Sequence, residues 1–341
     1  MSSYLISTTG TTVYLRDLGF RDPFTHPTTN FDLIAAGRSL EKIQNSKDLA
    51  DAITGGTLTA VFNGEPVVSG VDPLDSRKQD RIDNVVIVQK NPGTGEFSSI
   101  GAALASITTN SISNTFQIQV GPGIYTESTL AMKPYVYIKG SGNLVTVIQA
   151  ASTTQTTITG APSSSIEHLQ ITGATGAGGK AINCSNFGSV NPFLIKDVAF
   201  GSNETQVSVS TTVAITIVQV KNGTSGGAFS FTNGFQVSST NVAQPAVLVV
   251  DGLSFLDVVP PFLTTLFSST GAGAQLAVSN ILARLTGNTG TAFLVEDGSQ
   301  LRLIGSTIRG FEYGIRNTNT GAGSLIRATG TNFESSNLDL S

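Results

Sequence analysis

The sequence predicts an all-β protein, a parallel β-solenoid that follows a small α+β region. Only 12% of the 341 residues are charged and 37 are glycine. Soluble domains average about 25% charged residues, so this composition favours many short strands joined by tight turns. Short apolar–polar alternations also recur from residue 85 onward, at spacings in the twenties. Such a period is typical of a solenoid with one structural unit per repeat.

Residues 1–86 form the predicted N-terminal domain. TTVYLRDLGF (residues 11–20) alternates like a strand, and FTHPTTNFDL (residues 24–33) is rich in turn residues. In NSKDLADAITGG, Ser46 is a candidate N-cap of a helix that ends at Gly55-Gly56.

The remainder of this domain reads as strand, turn and strand in TLTAVFNGEPVV (residues 57–68). DPLDSRKQDRID (residues 72–83) has little apolar content and is interpreted as a linker or a short exposed helix. The domain boundary is therefore placed near residue 86.

Residues 87–341 form the predicted solenoid. Leucine-rich repeats have a similar period but require a leucine and asparagine ladder that is missing, and the strand-type spacing excludes helical repeats. Alternate apolar residues are expected to point inward and stack. Seven segments share the pattern at spacings of 28, 24, 29, 29, 25 and 24 residues, and they begin at Ile166, Leu194, Val218, Val247, Leu276, Leu301 and Leu325.

The two ends of this solenoid differ in sequence. FSSIGAALASI (residues 97–107) predicts an amphipathic capping helix, with Ser98 or Ser99 as N-cap and four apolar residues on one face. Such a helix would cover the unpaired first turn. FESSNLDLS (residues 333–341) offers no comparable cap, so a partner contact is expected there.

The stretch from Phe97 to Ala150 resembles the opening of pectin methylesterases and the wider pectin-lyase-like superfamily. In those proteins a capping helix precedes a strand with Gly-x-Tyr-x-Glu, here Gly123, Tyr125 and Glu127. A Gly-x-Gly turn (Gly140, Gly142) and a Thr-x-Ile strand (Thr146, Ile148) follow. The resemblance implies a right-handed parallel β-helix.

The catalytic motifs of that family are missing from the chain. It contains no Gln-Asp-Thr, no Asp-Phe-Ile-Phe and no tryptophan. Asp clusters with nearby Lys and Arg, through which pectate lyases hold calcium, are not found either. No catalytic, cofactor-binding or metal-binding residue is carried over, and the prediction is a protein that is not an enzyme.

The N-terminal region carries a second resemblance. VYLRDLGF, FTHPTTNFDL and SKDLADAITGGTLTAVFNG look like the start of structural proteins of tailed bacteriophages. Those chains often attach a β-helix to a short virion-anchoring domain. This resemblance implies that residues 1–86 anchor the chain in a virion.

Composition narrows the range of partners. The net charge is −4 and the longest basic run is Arg77-Lys78, so nucleic acid is not an expected partner. The most apolar region is broken by Asp251, Asp257 and Pro260-Pro261, so no membrane span is expected. No signal peptide is read at the N-terminus. Cys184 is the sole cysteine, so no internal disulfide can form.

Asp251 and Asp197 are the best single carboxylates for catalysis. Asp251 lies four residues after Val247, and Asn222, Asn280 and Gly305 take the same slot in other repeats. Asp, Asn and Gly in one slot indicate a turn that selects local hydrogen bonding or positive φ. Asp197 is interpreted as the same corner.

The other acidic candidates also have structural interpretations. Glu296 and Asp297 are adjacent and would face opposite sides of a strand, and Gly298 favours a turn. Glu127 is expected to form an ion pair with Lys133 or Lys139 on a neighbouring turn.

The histidines and the remaining motifs give no reactive group. His26 and His168 lie in different regions, which excludes a multi-histidine zinc site, and His168 is expected on the surface. Cys184 is interpreted as a buried small hydrophobe. GATGAGGKA (residues 173–181) departs from the phosphate-loop spacing and is read as a loop. The glycosylation sequons at Asn203 and Asn222 are given no role, because no secretion is expected.

Two functions remain open. The first is a structural virion protein, a phage tail, collar or fibre component assembled in the host cytoplasm. It would bind other virion proteins through residues 1–86 and the C-terminal end, and would form a homo-oligomer, with a trimer favoured. The second is a tailspike-like protein that binds or degrades a host surface glycan as hydrolase, lyase or esterase.

Overall fold

The computed structural model describes residues 4–9, 12–24, 29–39, 43, 46–54, 57–62, 65–67, 84–226, 232–258, 265–285, 290–318, 323–334 and 337–339. The chain divides into two compact units, Met1–Ile82 and Asp83–Ser341. The boundary placed near residue 86 falls inside strand Asn84–Val88, which belongs to the second unit.

Among the described residues, the first unit contains an antiparallel sheet and helix α1 (Lys47–Thr54). The order of the strands is β2 (Phe31–Asp32), β1 (Tyr4–Thr8), β3 (Leu58–Phe62) and β4 (Glu65–Val67). Helix α1 begins after Ser46, whose Oγ accepts a hydrogen bond from Leu49 N at 3.1 Å, which confirms the predicted N-cap. The two strands predicted after the helix are confirmed as β3 and β4, which pair antiparallel, while the turn between them and the helix end predicted at Gly55-Gly56 lie outside the described residues. Phe20, Phe24 and Phe31 pack edge to face with centroids 4.9–5.9 Å apart.

The strand predicted over residues 11–20 is wrong. Val13 makes a single antiparallel bridge with Phe24, and a turn follows in which Gly19 N donates to Arg16 O. The turn is fixed from outside, because the Asp17 carboxylate accepts hydrogen bonds from Ser46 Oγ and Asp48 N at the start of α1. The linker predicted over residues 72–83 lies outside the described residues.

The second unit is a right-handed parallel β-helix, as predicted. Each turn passes through three faces, called here the first, second and third sheets, and every strand pairs in parallel with strands of neighbouring turns. The first two are joined in one 17-stranded sheet, and the third has nine strands. The strands of the first sheet are β5 (Asn84–Val88), β6 (Phe116–Val120), β9 (Val136–Gly140), β12 (Ser164–Thr172), β14 (Phe193–Phe200), β16 (Thr216–Lys221), β19 (Ala246–Asp251), β22 (Ala274–Ser279), β25 (Gln300–Ile304) and β28 (Leu325–Thr329).

Strands β12 and β14 continue from the first sheet into the second. The other strands of the second sheet are β7 (Gly123–Glu127), β10 (Thr146–Ala150), β17 (Thr224–Gly226), β20 (Ser254–Val258), β23 (Leu282–Leu285), β26 (Thr307–Arg309) and β29 (Asn332–Glu334). The third sheet contains β8 (Leu130–Ala131), β11 (Thr156–Thr159), β13 (Lys180–Ser185), β15 (Thr205–Thr211), β18 (Asn233–Ser239), β21 (Thr265–Thr270), β24 (Thr291–Glu296), β27 (Tyr313–Thr318) and β30 (Asn337–Asp339).

The core contains aliphatic side chains and a column of phenylalanines. Phe235, Phe267 and Phe293 are partners in adjacent strands of the third sheet, with stacked rings 5.4 and 5.0 Å apart. Phe200 and Phe255 contact this column edge-on from the second sheet. Identical inward residues stack because each turn repeats the register of the previous one.

The predicted capping helix is confirmed as α2 (Ile100–Ser106). Ser99 is its N-cap and accepts a hydrogen bond from Ala102 N at 3.2 Å. Ile100, Ala103 and Leu104 are buried in the core of the β-helix. The helix therefore buries its apolar face against the strands that begin the second unit.

The repeat is confirmed, but its register differs from the predicted one. Ile166 pairs with Ile195, which pairs with Val220, and the column continues through Val250, Val278 and Leu303 at spacings of 29, 25, 30, 28 and 25 residues. Leu194, Val247 and Leu325 instead point outward, because each lies one residue before the inward residue of its strand. Where two apolar residues are neighbours in the sequence, the pattern alone does not show which of them points inward.

Candidate functional site

A single outward column of the first sheet carries most of its charge. Pairing between strands places Lys139, Glu167, Lys196, Lys221 and Asp251 at successive turns. Lys139 Nζ lies 3.4 Å from Glu167 Oε1. Because neighbouring strands lie about 4.8 Å apart, such side chains form a continuous charged ladder.

A corner of positive φ lies beside this ladder. His168, Asp197, Asn222 and Asn280 have φ between 50° and 54°, and Gly252 takes the equivalent position with φ 70°. Each is the residue after a member of this outward column, which continues from Asp251 to Ser279. Non-glycine residues adopt this conformation rarely, and Asn and Asp do so most readily.

The corner agrees with the predictions for Asp197 and His168 and corrects the one for Asp251. Asp197 occupies it as expected, and its Oδ2 lies 3.8 Å from His168 Nδ1. His168 is expected on the surface, and it occupies the corner with a side chain that is 38% exposed. Asp251 was assigned to the slot, but Gly252 fills it and Asp251 lies one residue earlier, in the ladder.

Asp251 is held as a carboxylate. Asn280 Nδ2 and Ser279 Oγ each donate a hydrogen bond to Asp251 Oδ1 at 2.8 Å. These bonds, from Asn280 first and Ser279 second, together with the charge of Lys221, lower the pKa of Asp251 below its ordinary value. A group held ionised in this way accepts hydrogen bonds and cations, and it is a poor proton donor.

The stability of the β-helix should therefore depend on Asp251 in acid. A lowered pKa means that the ionised form stabilises the fold above the unfolded pKa, and that this contribution disappears as the pH falls through the folded pKa. We expect Asp251→Asn to be less stable than the native protein at neutral pH and equal to it well below the ordinary value of 3.8. Urea unfolding midpoints as a function of pH measure the difference. Two parallel curves would contradict the assignment.

Glu127 and the two lysines do not form the predicted ion pair. Glu127 is buried at the N-terminus of α2, where its carboxylate accepts hydrogen bonds from Ile100 N at 2.7 Å and Ser99 Oγ at 3.0 Å. Lys133 Nζ donates to Ile107 O at the other end of that helix. Lys139 belongs to the ladder instead. Negative charge at the first turn and positive charge at the last stabilise a helix, so this arrangement is explained by the helix dipole.

Glu296 and Asp297 occupy the turn that their sequence predicts. Glu296 is the last residue of β24, and its carboxylate accepts hydrogen bonds from Thr270 Oγ1 (3.1 Å) and Thr318 Oγ1 (2.8 Å) on the neighbouring strands. Asp297 follows with φ 52°. Glu296 therefore ties three turns of the third sheet together.

The other candidates are part of the scaffold. Cys184 is fully buried and burial raises the pKa of its thiol, so it is the expected small hydrophobe. Asn203 is also buried, and its amide donates to Ile171 O and Gln206 Oε1. In the predicted loop, Lys180 already begins β13 and its Nζ lies 3.3 Å from Ser208 Oγ. His26 lies outside the described residues.

Among the described residues, no three His, Cys, Asp or Glu side chains gather where they could hold a metal ion. No helix in the same part of the chain is long and apolar enough to cross a membrane.

No protein-family model matches the sequence, and no curated protein does. Solved structures resemble the chain in fold. Pectin methylesterase PemA from Erwinia chrysanthemi is 13% identical over 68% of this chain and 80% of its own, with a TM-score of 0.46. The pectin methylesterase from Aspergillus niger is 13% identical over 73% and 85%, with a TM-score of 0.44. The cedar pollen allergen jun a 1 is 12% identical over 76% and 79%, with a TM-score of 0.40.

Proposed function

We propose that the chain is a non-enzymatic structural protein of a virion, a phage tail, collar or fibre component built on the β-helix. The observation that carries the proposal is the use of the acidic side chains. Glu127 caps a helix, Glu296 joins three turns, and Asp251 is bound by Ser279 and Asn280. Carboxylates whose hydrogen bonds hold the β-helix together support a role as a rigid structural component.

The N-terminal unit supplies the attachment in this proposal. It has its own sheet, helix and core, so it folds around contacts separate from those of the β-helix. Other virion proteins bind it and the C-terminal turn, and the assembled chain resides in the virion. In this proposal the chain also forms a homo-oligomer.

Virion purification tests this function. Tailed-phage particles produced by a strain that carries the gene are purified by density gradient and analysed by mass spectrometry, with immunogold labelling to locate the chain. We expect the chain in stoichiometric amount with tail or collar proteins, and loss of incorporation when residues 1–82 are deleted. Recovery of the chain only outside the particles would refute the proposal.

A glycan-binding role is the second candidate, and Tyr137 favours it. Its ring lies outward on β9 between Gln117 and Ser165, beside the Lys139–Glu167 pair. An aromatic face with neighbouring hydrogen-bonding groups is suited to a sugar ring. A glycan array with the native chain and Tyr137→Ala tests it, and a reducing-end assay tests turnover. Binding that the substitution leaves unchanged would argue against this site.

A further inference from the structure

The ladder belongs to a longer outward column of the first sheet. Pairing between strands aligns one residue from each of ten consecutive strands, from Ile87 on β5 to Thr329 on β28. The first nine of these alternate with buried residues such as Val120, Ile138 and Val250, so they share the outer surface. We call this set the outer column, and it consists of Ile87, Gln119, Lys139, Glu167, Lys196, Lys221, Asp251, Ser279 and Ile304.

Residues of the outer column that lie equally far from Lys196 on its two sides are complementary: they have opposite charges, or both are polar, or both are apolar. One turn away on either side lie Glu167 and Lys221, which have opposite charge. Two turns away lie Lys139 and Asp251, again of opposite charge. Three turns away are two uncharged polar residues, and four turns away are two isoleucines, each 37% exposed.

This order is what a two-fold contact requires. A two-fold axis in the plane of the interface and parallel to the strands reverses the order of the turns and keeps each column opposite itself. Isologous interfaces of this kind bring residue i to j and j to i. Lys139 then faces Asp251 of the partner subunit, and Glu167 faces Lys221 of the partner subunit.

The neighbouring outward column supports the same centre. Strand pairing aligns Tyr137, Ser165, Leu194, Gln219 and Val249, with Leu194 at the level of Lys196. Reversal places tyrosine against valine, serine against glutamine, and leucine against leucine. Within two turns of Lys196, polar and apolar side chains thus meet their own kind, whereas three and four turns away Gln117 meets Ala277 and Val85 meets Arg302.

We propose that the first sheet is the interface between two copies of this chain, packed antiparallel about a two-fold axis at the level of Lys196. Nine strands at about 4.8 Å and five residues at about 3.3 Å give roughly 700 Å² per copy. Stable interfaces bury about 800 Å² per partner, so the face is of suitable size.

If the two copies packed in parallel, opposite charges of the outer column would not meet across the interface. Parallel packing keeps each turn at its own level, while Lys139 and Asp251 lie four turns apart, about 19 Å. The trimer expected from the sequence would therefore use another surface. The inference stands apart from the proposed function, because it concerns the purified chain alone.

Charge exchange tests the interface. The mass of the full chain is measured by light scattering after size-exclusion chromatography, and Kd by analytical ultracentrifugation. We expect a dimer in which Lys139→Glu and Asp251→Lys each weaken association at least about tenfold, because each contact occurs twice and like charges then meet. The double variant K139E/D251K should restore the native Kd. Within one chain the two sites are too distant to couple, so restoration reports contact between copies.

Two further variants complete the test. Lys196→Gln removes the like-charge contact at the axis and should tighten the dimer several-fold. Arg309→Glu, on the second sheet, matches the charge reversals and should leave Kd unchanged, with circular dichroism confirming that all variants fold. A monomer, a trimer, or a dimer whose Kd the double variant does not restore would overturn the proposal.

Discussion

Phe267→Ala is expected to destabilise the β-helix by about 3–5 kcal/mol, the usual cost of removing a buried aromatic ring. Phe267 is fully buried and lies between Phe235 and Phe293, at centroid distances of 5.4 and 5.0 Å. The ring of Phe255 contacts it edge-on at 6.0 Å. Truncation therefore leaves a cavity and removes three aromatic contacts, and aromatic pairs add about 0.5–1.5 kcal/mol each beyond burial.

Urea unfolding followed by the circular dichroism of the strands measures this loss. Ser268→Ala, the next residue on the same strand, points outward and is the matched control, with an expected change within about 0.5 kcal/mol. Phe267→Leu should fall between the two, because it retains part of the buried volume. Equal midpoints for Phe267→Ala and Ser268→Ala would contradict a continuous phenylalanine core.

The architecture is readable from the sequence because a solenoid repeats its signal. Alternating apolar residues and glycine-rich turns recur at each turn, so errors in one repeat are corrected by the others. The capping helix is equally local, since Ser99, Ile100, Ala103 and Leu104 lie within six residues. By contrast, the alternation of residues 11–20 is a single instance, and contacts from α1 turn it into a bridge and a turn.

The candidate site is harder to read because it depends on register. An error of one residue moves a side chain to the other face of a strand. Asp251 was placed in the corner in this way, although Gly252 fills it. Only the aligned strands show that Lys139 and Asp251 are equidistant from Lys196, a relation that the uneven repeat lengths conceal.

The sequence motif that contains Glu127 does not reveal which groups the Glu127 carboxylate contacts. The Gly-x-Tyr-x-Glu strand is recognisable, but the partner of its glutamate lies 27 residues earlier in the chain. An ion pair with a nearby lysine is the simpler expectation. Backbone donors at the start of α2 compete successfully, because a helix N-terminus offers several amide groups without partners in the helix.

Glu127→Ala is expected to destabilise the second unit by about 3 kcal/mol, because hydrogen bonds to charged groups contribute about 1.5–3 kcal/mol each and buried donors are left unsatisfied. The donors that lose their acceptor are Ile100 N at 2.7 Å, Ser99 Oγ at 3.0 Å and Gly101 N at 3.3 Å. Glu127→Gln keeps one acceptor oxygen and should lose about half as much.

Hydrogen exchange of the α2 peptide locates the effect, and urea unfolding measures its size. Both Glu127 variants should accelerate exchange in α2 and in the adjoining strand β6, since the helix covers the core there. Glu96→Ala is the matched control, because that carboxylate bonds only to Gly93 N, outside the helix, among the contacts seen here. If Glu127→Ala and Glu96→Ala gave the same exchange rates in α2, Glu127 would not hold the helix. The cap would then depend on its apolar face alone.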